Sequence, residues 1–111
     1  MTTRELYAIS VENLIDAAVL VEKKLDIRLT HRDNAVFDEY FYADIGENRE
    51  IFVQNNIDMD DYIIYGEGYI EPDFKEYGIL IYIQKAEKCS EIIAKLNADP
   101  VHFKHLRTYK S

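Results

Sequence analysis

The stretch that decides the fold is Gly78-Ile79-Leu80-Ile81-Tyr82-Ile83, an almost continuously apolar run. A β-strand points successive side chains to opposite faces of its sheet. A strand that is apolar on both faces must therefore be covered on both faces, which is the position of a central strand. The run predicts such a strand over residues 77–85, and the rest of the chain is placed around it.

Other apolar runs, each bounded by turn residues, predict further strands. The turn signals are an Ile-Gly-Glu-Asn sequence at 45–48, which predicts a hairpin, and Pro72-Asp73 before the central strand. The polar stretch 30–34 is predicted to be a loop, and the acidic stretch 58–61 to be a turn. The predicted strands are 6–9, 36–44, 50–57 and 62–70.

Two segments carry apolar residues at spacings of three and four, the pattern of an amphipathic helix. The first follows Ser10, a candidate N-cap, and predicts a helix over residues 11–27. The second begins at Ala86, passes through Cys89 and ends near Asn97 and Pro100. The tail from Val101 could add a short edge strand or stay partly loose.

The predicted element order is β-α-β-β-β-β-α, with an optional final strand. Hairpin-like connections indicate an α+β domain with a mostly antiparallel sheet of four to five strands and two helices on one face. No repeat, linker or change in composition divides the chain, so residues 1–111 are predicted to form a single domain. The second face of the sheet is expected to be open to a partner.

Charge limits the classes of partner. The chain has 111 residues, a net charge of −8 and a pI near 4.8. Nucleic acid and anionic membrane surfaces should repel such a protein, whereas a basic protein should attract it. The chain has one cysteine, no signal-peptide pattern near Met1 and no stretch that approaches a membrane span, so a cytoplasmic location is expected.

The acidic residues are concentrated in one part of the chain. Residues 33–76 hold thirteen acids and two bases, a net charge of −11, and most of the tyrosines also lie there. Tyrosine favours interfaces because it combines a large apolar ring with a polar tip. If 62–70 is a strand, Ile63, Tyr65, Glu67 and Tyr69 share its solvent face. Tyr62 and Ile64 then lie on its core face. The predicted partner-binding residues are Asp58, Asp60, Asp61, Tyr65, Glu67, Tyr69, Glu71 and Asp73.

Other interpretations of these residues remain open. The acids could serve solubility alone, and the tyrosines could be no more than good strand formers. Asp58-x-Asp60-Asp61 has a faint likeness to a calcium loop but lacks the glycine and the closing glutamate. His102 and His105 with Cys89 could give partial zinc ligation, and histidines with lysine could cleave RNA. No spacing supports these, so neither a catalytic residue nor a metal or cofactor is predicted.

In character the sequence resembles the immunity proteins of bacterial contact-dependent growth inhibition and related toxin systems. The resemblance lies in the acidic, tyrosine-rich strands and turns from Tyr40 to Asp73 in a small chain with two predicted helices. It implies an inhibitor of a cognate toxin, commonly a basic nuclease. The alternatives are a mimic of nucleic-acid charge that blocks a DNA- or RNA-binding protein, and a small regulatory domain that forms homo-oligomers.

Overall fold

The computed structural model describes residues 2–111, which form one antiparallel six-stranded sheet with three α-helices. The strands are β1 (Thr3–Ile9), β2 (Thr30–Asn34), β3 (Asp38–Asp44), β4 (Glu50–Asn55), β5 (Ile79–Gln84) and β6 (Phe103–Lys110). The helices are α1 (Leu14–Leu25), α2 (Met59–Tyr65) and α3 (Ser90–Asn97). The predicted α+β class is confirmed, with one strand and one helix more than predicted.

The central position of β5 is confirmed. The strand order is β2-β3-β4-β5-β1-β6, so β5 pairs with β4 on one side and β1 on the other. Ile79, Ile81 and Ile83 join the core that α1 and α3 cover, while Leu80 and Tyr82 belong to a smaller cluster on the second face. All five side chains are buried, as a strand covered on both faces requires.

The first helix is shorter than the predicted 11–27. Asn13, not Ser10, caps α1, because its side-chain oxygen accepts a hydrogen bond from the Asp16 amide at 2.9 Å. Asp26 ends the helix in the left-handed conformation, with φ of 53°. Four apolar residues of the spacing that predicted this helix are buried in the core: Leu14, Ala18, Val21 and Leu25.

The sequence predicted that the second face of the sheet would be open, but a segment of the chain covers part of it. The segment 70–77 returns over it and contributes Ile70, Phe74 and Tyr77 to the smaller apolar cluster. Asn56 holds this segment in place. Its side-chain nitrogen lies 3.1–3.2 Å from the carbonyls of residues 71, 74 and 77, and its oxygen accepts from the Glu71 amide at 2.8 Å.

The two edges of the sheet differ in how well the sequence predicted them. Residues 30–34, predicted as a loop, form the edge strand β2, in which every side chain is exposed. An exposed edge strand needs no alternation of apolar residues, so the strand signal was absent. The opposite edge is β6, the optional strand of the prediction, which pairs with β1. Thr2 and Ser111 exchange backbone hydrogen bonds there at 2.9 and 3.2 Å.

We expect the substitution Asn56→Ala to lower the free energy of unfolding by about 2–4 kcal/mol. It would leave the Glu71 amide and the Tyr77 carbonyl without their partner, and such groups each cost about 1–3 kcal/mol when they are buried and unmet. The carbonyls of Glu71 and Phe74 would still accept from the backbone amides of Phe74 and Tyr77. Chemical denaturation measures the change. Asn55→Ala is the matched control, because the neighbouring Asn55 is half-buried and its side chain forms no hydrogen bond with another residue of the described range 2–111. Equal losses in the two variants would contradict the role of Asn56.

Candidate functional site

Residues 62–70 do not form the predicted strand. Residues 59–65 are α2, and Gly66 ends the helix in the left-handed conformation with φ of 79°. Asp58 is the N-cap, since its side chain accepts from the amides of Asp60 and Asp61 at 3.1 and 3.3 Å. The acidic turn predicted at 58–61 is therefore a helix start, where carboxylates also suit the positive end of the helix.

The helix α2 buries none of its side chains. Four consecutive large apolar residues lie at the surface: Tyr62, Ile63, Ile64 and Tyr65, with 49, 76, 69 and 74% of their area exposed. Exposed carboxylates accompany them, at Asp60 and Asp61 in the first turn and at Glu67 just beyond the end. We call these seven residues the α2 surface.

Backbone contacts hold α2 at its beginning. The Met59 amide donates to the Val36 carbonyl at 2.7 Å, which ties the helix to the turn between β2 and β3. The Asp58 amide donates to the Gly68 carbonyl at 3.1 Å. Gly68 packs so closely that a Cβ there would lie 2.6 Å from the Asp58 carbonyl oxygen and 2.8 Å from the Tyr62 amide nitrogen. The position of α2 therefore depends on a glycine at 68.

The structure brings together half of the eight predicted partner-binding residues. Asp60, Asp61, Tyr65 and Glu67 lie on or next to α2 and are exposed. The other predicted residues differ in their surroundings: Asp58 caps the helix, Tyr69 is half-buried, Asp73 forms an exposed ion pair with Arg107 at 3.0 Å, and Glu71 is buried.

Glu71 is a correction to the predicted set, because only 7% of its surface is exposed. One carboxylate oxygen accepts from the Tyr82 hydroxyl, and the other accepts from the Tyr109 hydroxyl at 2.6 Å. Burial, together with this carboxylate, raises the pKa of both tyrosines. The Arg4 guanidinium lies over the two rings, 5.0 and 4.7 Å from their centres. Glu71 thus supports the interior of the second sheet face.

Sequence reasoning missed Tyr62 and Ile64 as surface residues, and it left Ile63 out of the partner-binding set although it placed Ile63 on the solvent face. The strand interpretation assigned Tyr62 and Ile64 to the core. The signal that could have located them is local: an aspartate cap, two acids in the first turn and a glycine seven residues after the start. Four consecutive apolar residues also lack the alternation of a half-buried strand.

The histidines and the cysteine lie apart from the α2 surface. His31 and His102 contact Glu39 and Asp99 at 3.1 and 3.0 Å, and Cys89 is buried. Within residues 2–111 no group of three His, Cys, Asp or Glu side chains is arranged to hold a metal ion. None of the helices described for this part of the chain has the length and apolar character that crossing a membrane would require.

Comparisons with models of protein families, with curated proteins and with solved structures found no match to this chain.

We expect the substitution Gly68→Ala to displace or unfold α2, because the added Cβ would collide with backbone atoms of the first helical turn. Amide hydrogen exchange should accelerate over residues 59–66, and the melting temperature should fall. Gly78→Ala is the control, since no atom outside its own neighbourhood lies within 4 Å of a Cβ added there. Unchanged exchange in Gly68→Ala would show that α2 does not need this close approach.

Two tyrosines with raised pKa values predict a loss of stability in alkali. Burial raises the pKa of Tyr7 to about 12, and the Glu50 hydrogen bond raises the pKa of Tyr42 to about 12. Because the unfolded chain releases these protons from about pH 10, the free energy of unfolding should decline between about pH 10 and 12. Denaturation across that range should show a shallower decline in Tyr42→Phe. Equal slopes would contradict the assignment for Tyr42.

Proposed function

We propose that this chain is an acidic binding protein that inhibits a basic partner protein, and that the α2 surface is its docking site. The observation that carries the proposal is the row of four exposed apolar side chains on α2, bordered by carboxylates. Large apolar side chains exposed next to one another are typical of interaction sites on soluble proteins. No other part of residues 2–111 exposes two large apolar side chains in succession.

The chemistry of the α2 surface selects the kind of partner. Tyrosine and isoleucine can fill an apolar groove, the mode in which a short helix contributes anchor residues to a binding protein. Asp60, Asp61 and Glu67 would face the border of that groove, where Lys and Arg of a basic partner pair with them. The anchors would supply most of the affinity, and the carboxylates would speed the encounter and exclude acidic competitors.

The α2 surface is also prepared for binding. Asp58 caps the helix, the Val36 carbonyl accepts a hydrogen bond from its first residue, and Gly68 packs against its first turn. A partner therefore does not have to order this helix on contact. Because ordering reduces affinity, a helix that is already formed binds more tightly than a flexible segment with the same side chains.

Within this class we favour an immunity protein that neutralises a cognate nuclease toxin in the cytoplasm. A nuclease must present Lys and Arg to its phosphate-bearing substrate, so it is basic where it acts. An inhibitor with a net charge of −8 is attracted to that surface and can cover it. The same charge opposes direct binding of nucleic acid or of an anionic membrane.

A charge-neutral variant tests the role of the carboxylates. The partner is first captured on the tagged protein at low salt, identified and purified. The triple variant Asp60→Asn, Asp61→Asn, Glu67→Gln should then associate with it about tenfold more slowly at low salt, with a weaker dependence on ionic strength. Stopped-flow fluorescence measures both quantities.

The matched control is Glu12→Gln, Glu47→Gln, Glu91→Gln, which has the same net charge but changes exposed acids outside the α2 surface. It should associate almost as fast as the native protein. Equal slowing by the two variants would mean that only total charge matters. A purified partner that is acidic, or whose activity is unaffected at equimolar inhibitor, would overturn the proposal.

A second variant tests the apolar anchors. Ile63→Ala with Tyr65→Ala should raise the dissociation rate at least about tenfold and leave association nearly unchanged, because buried anchors act mainly on dissociation. Ile15→Ala is the control, since Ile15 is similarly exposed, at 67%, but lies on α1. Sedimentation of the native protein alone adds a separate check. A dimer that the double variant disrupts would assign the α2 surface to self-association.

A further inference from the structure

A cavity of about 300 Å³ lies on the second face of the sheet, beneath the segment that carries Glu71. Its polar lining includes Arg4 from β1 and Gln54 from β4, and its apolar lining includes Phe37, Phe52 and Ile70. A volume of this size is at the lower end of the range for pockets that hold small molecules. The cavity is separate from the α2 surface, none of whose residues lines it.

Two hydrogen-bond donors at this cavity have no partner in the protein. The Nε of Arg4 and the Nε2 of Gln54 are both buried, and no acceptor of the described residues 2–111 is within bonding distance of either atom. Gln54 is the stronger case, because only 2% of its surface is exposed. A buried polar group without a partner destabilises a protein, so such groups are rare unless something else satisfies them.

The neighbouring acid does not satisfy these donors. Both oxygens of the Glu71 carboxylate accept hydrogen bonds from tyrosine hydroxyls, and Glu71 forms no ion pair with Arg4. The Arg4 guanidinium instead lies over the rings of Tyr82 and Tyr109. Contact with a ring uses the face of the guanidinium, so the N–H groups at its edge can still donate.

We propose that this cavity binds a small carboxylate with a flat apolar body. A guanidinium presents paired N–H groups that match the two oxygens of a carboxylate, and the Gln54 amide can donate to the same group. Phe37, Phe52 and Ile70 would contact the apolar body. Arg4 is the one cationic side chain among the described residues that line the cavity, so a carboxylate would pair with its guanidinium while Glu71 stays bonded to Tyr82 and Tyr109.

The test is a titration of the chain of residues 1–111 with phenylacetate and, separately, with phenylacetamide, which has nearly the same shape but no charge. Phenylacetate should give saturable shifts of the Gln54 side-chain amide signals in nuclear magnetic resonance spectra and should raise the melting temperature. Phenylacetamide should bind at least about tenfold more weakly, because it lacks the second acceptor oxygen and the charge. Equal binding of the two compounds, or no saturation at millimolar phenylacetate, would overturn the proposal.

The substitution Gln54→Leu separates binding from folding. It removes the unpartnered amide but keeps a side chain of similar size, so the unliganded protein should be as stable as the native protein or more stable. Phenylacetate affinity should nevertheless fall at least about tenfold. Arg4→Gln should weaken binding as strongly, whereas Arg32→Gln should not, since Arg32 stacks on Tyr42 outside the cavity. Native affinity in Gln54→Leu would overturn the assignment.

Discussion

The second face of the sheet depends on the hydrogen bonds that the Asn56 side chain forms with the backbone. One carboxamide meets four backbone groups of the segment 71–77, so this segment crosses the sheet instead of remaining a loose loop. Two features follow from that crossing. Glu71 reaches Tyr82 and Tyr109 across the sheet, and Ile70 and Glu71 close the cavity that Arg4 and Gln54 line.

The same arrangement explains why α2 is exposed. The smaller apolar cluster is covered by Ile70, Phe74 and Tyr77, and α2 contributes none of its side chains to either cluster. A helix of seven residues with no buried face would not persist alone in water. Its cap, its bond to Val36 and the contact with Gly68 therefore provide its stability. Binding elements are often found among such locally supported segments.

The sequence predicted those parts of the fold that depend on burial and missed those that do not. Ile79 to Ile83 located the central strand, because a strand covered on both faces must be apolar throughout. The strand β2 was missed because all its side chains are exposed. The helix α2 was misread because it has no core-facing stripe to set a period of 3.6 residues. Glu71 was misplaced because its partner Tyr109 lies 38 residues further along the chain.

The pairing of β1 with β6 brings the two ends of the described chain side by side, with Thr2 and Ser111 bonded to each other. Forming that pair closes a loop of nearly the whole chain, which is the most costly loop in entropy and should form late in folding. In a circular permutant, a short peptide would join these two ends and the new ends would lie in the tight turn around Gly46, so β1 and β6 would be close in sequence. Such a permutant should keep the strand order of the sheet but pair β6 with β1 early in folding.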